Sequence, residues 1–107
     1  MYFHHLDDLN ERELIPGFLG KMVHLNNMTI SYWKIKKGSV LPEHSHPHEQ
    51  TTNVIEGQLK LTVGEVTRVV EPGTIVAIPA DIAHSGVAVT DCTVIDVFSP
   101  VREDYKS

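Results

Sequence analysis

Three histidines stand at alternate positions in the stretch Gly38-Ser-Val-Leu-Pro-Glu-His-Ser-His-Pro-His-Glu-Gln50: His44, His46 and His48. In an extended strand successive side chains point to opposite faces, so His44 and His46 project the same way and one metal ion could bridge them. Gln50 shares their parity and Glu49 does not, which favours Gln50 as a further donor. Pro47 removes a ladder donor and fixes its own φ, so the register beyond it stays open. One such histidine is as readily a solvated surface residue. Two at i and i+2, bracketed by Gly38 and Gly57, are better explained by metal-ligand spacing. A second stretch, Gly73 through Pro79-Ala-Asp81-Ile-Ala-His84, places another histidine after a turn, where it can point across a small barrel. His44, His46, Gln50 and His84 would supply three imidazoles and one amide oxygen. Such a set suits one divalent ion (Zn, Ni, Fe or Mn) and leaves positions open for water or substrate.

The tail carries the other reactive groups. Asp96 lies between Val94-Ile95 and Val97-Phe98, where an unpaired carboxylate would be costly to bury. It is either hydrogen-bonded structurally or faces a polar cavity, where a perturbed pKa would suit it to proton transfer. Phe98 shares its parity, so an acid and an aromatic wall can line one pocket. Arg102 reads as a surface residue by type, yet its planar fork is suited to gripping a carboxylate bidentately. Tyr32, Trp33 and Tyr105 read as core or interface residues rather than sugar platforms. His4 and His5 read as surface or packing residues, and Cys92 as a small buried hydrophobe.

The elements that must position these groups are strands. Thr29–Ile35 is β-branched and aromatic, and ends at Lys36-Lys37-Gly38. Residues 52–56 and 59–63 flank Gly57-Gln58 as a hairpin, and Leu59, Leu61 and Val63 alternate with Lys60 and Thr62. Further runs follow at 66–71, 74–78, 84–89 and 93–98, separated by Gly64-Glu65, Pro72-Gly73, Pro79-Ala-Asp81 and Thr90-Asp91. Short strands at this spacing predict an antiparallel sandwich or closed barrel over about 28–98. Residues 1–27 are weakly patterned and read as an extension, with a helical turn at Glu11–Ile15 ended by Pro16-Gly17. Residues 99–107 form a tail.

At 107 residues the chain reads as one domain, 41% hydrophobic and 21% charged. A net charge of −5 and the lack of any basic run argue against nucleic acid as a partner. No apolar run is long enough for a membrane span, and the start lacks the pattern of a signal peptide. One cysteine allows no internal disulfide, and a cytoplasmic protein is expected.

The two stretches resemble the motifs of the cupin superfamily, small jelly-roll barrels of the double-stranded β-helix type. In Gly-x5-His-x-His-x3,4-Glu-x6-Gly, this chain has Gly38, His44, His46, Gln50 and Gly57, with Gln in place of Glu. In Gly-x5-Pro-x-Gly-x2-His-x3-Asn, it has Gly73, Pro79, Asp81 in place of Gly, His84, and Ala88 in place of Asn. The segment His44–Gln50 together with Asp96–Tyr105 looks more narrowly like the pectin-degradation (KdgF-type) cupins, which linearise 4,5-unsaturated uronates from pectin or alginate. That resemblance implies the Gln ligand, and a second group of site residues matched by Asp96, Phe98 and Arg102. It implies an enzyme with an anionic sugar as substrate, and the exposed strands and N-terminal extension predict a cupin-like homodimer. Asp96 would be the acid/base and Arg102 the anchor. A non-catalytic sugar- or small-molecule-binding cupin is the alternative, as is a cupin dioxygenase or sugar isomerase.

Overall fold

The computed structural model describes residues 2–106. The strands are β1 (Arg12–Ile15), β2 (Phe18–His24), β3 (Thr29–Ile35), β4 (Val40–His44), β5 (Glu49–Glu56), β6 (Leu59–Val63), β7 (Val66–Val70), β8 (Ile75–Ile78), β9 (His84–Ala88) and β10 (Cys92–Ser99). They form a six-stranded sheet in the order β1-β2-β3-β10-β5-β8 and a four-stranded sheet in the order β4-β9-β6-β7. Every pairing is antiparallel. This is the all-β double-stranded β-helix that the strand spacing and motifs imply. Short 3-10 turns at Leu6–Asp8 and Glu103–Tyr105 are the helical elements among the described residues, and none is long and apolar enough to cross a membrane.

Alternation sets which faces close on one another. In β3, Thr29, Ser31, Trp33 and Ile35 are buried while Ile30 and Lys34 are exposed. In β6, Leu59 and Leu61 are buried and Lys60 is exposed. Phe18, Trp33, Ile35, Val54, Leu59, Leu61 and Val94 meet between the sheets as the core. Each such side chain contributes about 1.5–3 kcal/mol on burial, which is what holds the two sheets face to face.

The N-terminal region departs from the expected helical turn. Arg12–Ile15 is a strand, paired with β2 through Arg12↔Gly20 and Ile15↔Phe18. Pro16-Gly17 is the turn of that hairpin, with Gly17 at φ 83°, as a type II turn with Pro then Gly requires. A helix of five residues would be marginal in water, whereas the hairpin satisfies its backbone against β2 and packs Leu14 and Ile15 on the core. The sheet therefore begins at Arg12 rather than near residue 28. The alternation of β2 was masked by Gly20, which lies beneath the Trp33 ring. A Cβ there would come within 2.6 Å of that ring, so a small residue fills a core position.

Candidate metal centre

His44 and His84 are direct cross-strand partners on β4 and β9, with ring centroids 4.2 Å apart. His46 is buried in the turn that leaves β4, 4.9 Å from the His84 ring and 5.6 Å from that of His44. The Asp81 N–H donates to the His46 carbonyl at 2.8 Å, so the loop before β9 hooks the loop before β5. Asp81 itself is left-handed at φ 66°, which explains why glycine is the motif residue there and why Asp is a tolerable substitute. One ring nitrogen from each of His44, His46 and His84 lies within 4.8 Å of the others, so the three could hold a metal ion.

The hydrogen bonds fix which nitrogen each offers. Nδ1 lies 3.0 Å from the Pro42 carbonyl in His44, 3.0 Å from the His48 carbonyl in His46 and 2.9 Å from the Ile82 carbonyl in His84. A carbonyl only accepts, so Nδ1 carries the proton and Nε2 presents a lone pair. The His84 Nε2 is buried without a partner. The His46 Nε2 sits 3.0 Å from the Gln50 Oε1. The Gln50 amide donates to Thr52 Oγ1 at 2.9 Å, so its oxygen is the atom turned toward His46. Two acceptors at that distance, beside an orphaned third, call for a cation between them. Protons are poor candidates: burial holds the His46 and His84 pKa values below the usual imidazole range. The donor set fits a first-row divalent ion. Glu49 is exposed, as its parity predicts.

The opposite sheet brings the second group to the same cavity of about 450 Å³. Asp96 and Phe98 lie on β10, and Asp96 is paired with Thr52 on β5. Thr52 donates to Asp96 Oδ1 at 2.7 Å, completing a line from His46 through Gln50 and Thr52 to the carboxyl. Burial pushes the Asp96 pKa up to about 6, against the pull of the Thr52 and Gln50 hydrogen bonds. The half-buried carboxyl borders the cavity, and protein encloses it on the other sides.

Arg102 is buried, not at the surface as its type suggests. Its backbone N–H donates to Thr29 Oγ1 at 3.0 Å. Its guanidinium lies 3.9 Å from the Tyr105 ring centroid and 4.7 Å from that of Phe98. Nε and Nη2 donate to the two Asp104 oxygens at 3.0 and 2.8 Å. Burial works against this charge, but Asp104, with Tyr105 and Asp96, more than offsets it and raises the Arg102 pKa.

Three side chains of the site escaped the sequence reading. Thr52 was detectable, because it has the parity of Gln50. Asp104 gave no signal. Tyr105, expected in the core or an interface, packs on Trp33 and Phe98 and also lines the cavity. His48 stands outside the cluster of three, its Nε2 3.3 Å from the Val101 carbonyl. His4 and His5 are exposed, and His5 Nδ1 accepts from the Asp7 N–H.

Comparison with known proteins agrees with this geometry. The cupin domain family matches residues 31–98. An uncharacterised protein of Streptomyces coelicolor is 30% identical over 97 residues, 89% of this chain and 92% of that protein. An RmlC-like cupin from Shewanella frigidimarina superposes with a TM-score of 0.93 at 26% identity, covering 98% of this chain and 96% of that one. KdgF from Halomonas sp. superposes with a TM-score of 0.91 at 28% identity, covering 98% of both chains. With its two-sheet barrel, its clustered histidines and a family match over most of its length, the chain belongs to the cupin family.

Proposed function

We propose that this cupin is a metal-dependent enzyme that converts 4,5-unsaturated uronates, released from pectin or alginate, to linear keto forms. The supporting observation is that one cavity is lined by His44, Gln50 and His84 of the donor set, a carboxyl with a raised pKa and a buried guanidinium. Similarity to the Halomonas KdgF over nearly the whole chain points the same way.

Linearisation removes a proton from the anomeric hydroxyl and breaks the bond from C1 to the ring oxygen. The electron pair goes to that oxygen as an enolate, and a proton is then added at C4. A carboxyl titrating near 6 is populated in both forms close to neutral pH, so Asp96 can accept the first proton and deliver the second. Arg102 holds the substrate carboxylate, and the Phe98 ring excludes water beside them. His44, His46, His84 and Gln50 would hold the divalent ion, which when bound supplies Lewis-acid stabilisation of the developing negative charge. The same cavity is also lined by the apolar side chains of Phe18, Leu41, Leu59 and Leu61, which favours a second reading as a binding module for a less polar ligand.

Incubation with an unsaturated uronate separates the two. The parent should abolish the ultraviolet absorbance of the conjugated acid, lose that activity on chelation and regain it with one divalent ion per chain. Asp96→Asn should retain metal and fold while slowing turnover by about 10²–10⁴-fold. No turnover at any metal loading would leave the binding module.

A further inference from the structure

The geometry points to Asp104 as a positioning residue: it locks Arg102 so that one free edge of the guanidinium receives the substrate carboxylate. This rests on the uronate reading for the identity of the ligand, and on this chain's geometry for the rest. A guanidinium offers two edges that can fork a carboxylate, one from Nε and Nη2 and one from Nη1 and Nη2. Asp104 takes the first at 3.0 and 2.8 Å. The Tyr105 and Phe98 rings restrain the planar group, and Thr29 holds its backbone N–H. What remains is the Nη1–Nη2 edge of a side chain that lines the cavity beside Asp96 and Gln50.

The exposures of the pair argue for positioning over charge storage. The Arg102 side chain is 8% exposed and that of Asp104 is 59% exposed. Water and salt screen the exposed acid in part, which lessens how much of the Arg102 field it cancels in the cavity. Its two hydrogen bonds remove the rotation that would otherwise let a long side chain point elsewhere. Arg102 binding the carboxylate leaves the donor set opposite for a substrate hydroxyl. The contrary possibility is that Asp104 competes with substrate for Arg102, and it predicts effects of the opposite sign.

The experiment uses metal-loaded protein, with D-galacturonate and its methyl ester as unreactive probes in calorimetry and unsaturated uronate in kinetics. The parent should prefer the acid to the ester. Asp104→Asn leaves one acceptor oxygen and sets an NH₂ against a donor, which breaks the fork; Asp104→Ala removes it. Both should weaken acid binding about tenfold, leave ester binding and metal content unchanged, and raise KM with kcat within about twofold. Asp104→Glu, which keeps the carboxylate, should restore most of the loss. Tighter or unchanged acid binding in Asp104→Asn overturns the inference, as does a parent indifferent to acid and ester. If the parent turns over no unsaturated uronate while its preference for the acid still depends on Asp104, linearisation fails and the positioning role stands.

Discussion

Thr52 joins the two halves of the site with one hydroxyl, accepting from Gln50 and donating to Asp96. Without it the Gln50 amide is free to turn its NH₂ toward His46. Thr52→Val keeps the shape and should lower metal affinity about 10–100-fold, read by chelator competition. It should also lower the melting temperature, because it leaves the Gln50 amide and the Asp96 oxygen without their partner. Undiminished affinity would show that Gln50 needs no such support. Asp96 gives a pH signature. Its native pKa of about 6 exceeds the ordinary value of 3.8, so the native state binds more protons than the unfolded chain between those values. Stability from this group is complete below about pH 4 and is lost as pH rises through about 6, by roughly 2–3 kcal/mol. The buried neutral histidines act in the opposite sense, so the test compares metal-free parent with Asp96→Asn by denaturant titration at pH 4 and 7. The variant should lose less stability across that interval, and an identical slope would place the Asp96 titration elsewhere. The candidate metal donors were legible from motif spacing; the parity argument assumed one strand from His44 to Gln50, and the chain instead turns at residues 45–48 between β4 and β5. The carbonyls that seat the imidazoles and the pairing of Arg102 with Asp104 are contacts two residues apart, set by backbone geometry that the residue types alone do not reveal.

At the scale of elements, most strands from Thr29 onward, though not β4 or the start of β5 on either side of the histidine stretch, could be read from alternation and turn residues. The hairpin before them could not, because β1 is short and β2 hides a core position behind Gly20. The loop between β8 and β9 shows how an element sets a ligand. Asp81 adopts a backbone that favours glycine, and from there its N–H fixes the turn carrying His46. Asp81→Ala should destabilise by about 1–2 kcal/mol, because alanine lacks the side-chain contacts that ease a left-handed residue. Asp81→Gly should be close to neutral. Equal losses in both variants, measured by chemical denaturation, would mean that the Asp81 side chain rather than its backbone matters.

Across the whole molecule the donors come from both layers. His44 and His84 sit on the four-stranded sheet, and Gln50 on the six-stranded one. An ion held by all of them would tie the layers together and would bind the folded state alone. At 100 to 1,000 times its dissociation constant it would stabilise by roughly 3–4 kcal/mol. Chelation should then lower the melting temperature by about 15 °C in the parent and by much less in His84→Ala. Equal shifts in both would exclude these donors as the site that binds. The seats of the imidazoles carry a different consequence. Each Nδ1 finds its carbonyl within two residues along the chain, and two of the rings share one rung of a ladder. That half of the pocket is nearly portable: beyond the Asp81 N–H on the His46 carbonyl and the rung between β4 and β9, it asks little of distant residues to aim its nitrogens. Evolution or design can therefore rewrite the facing wall, exchanging one reaction for another, without having to rediscover how to hold the ion.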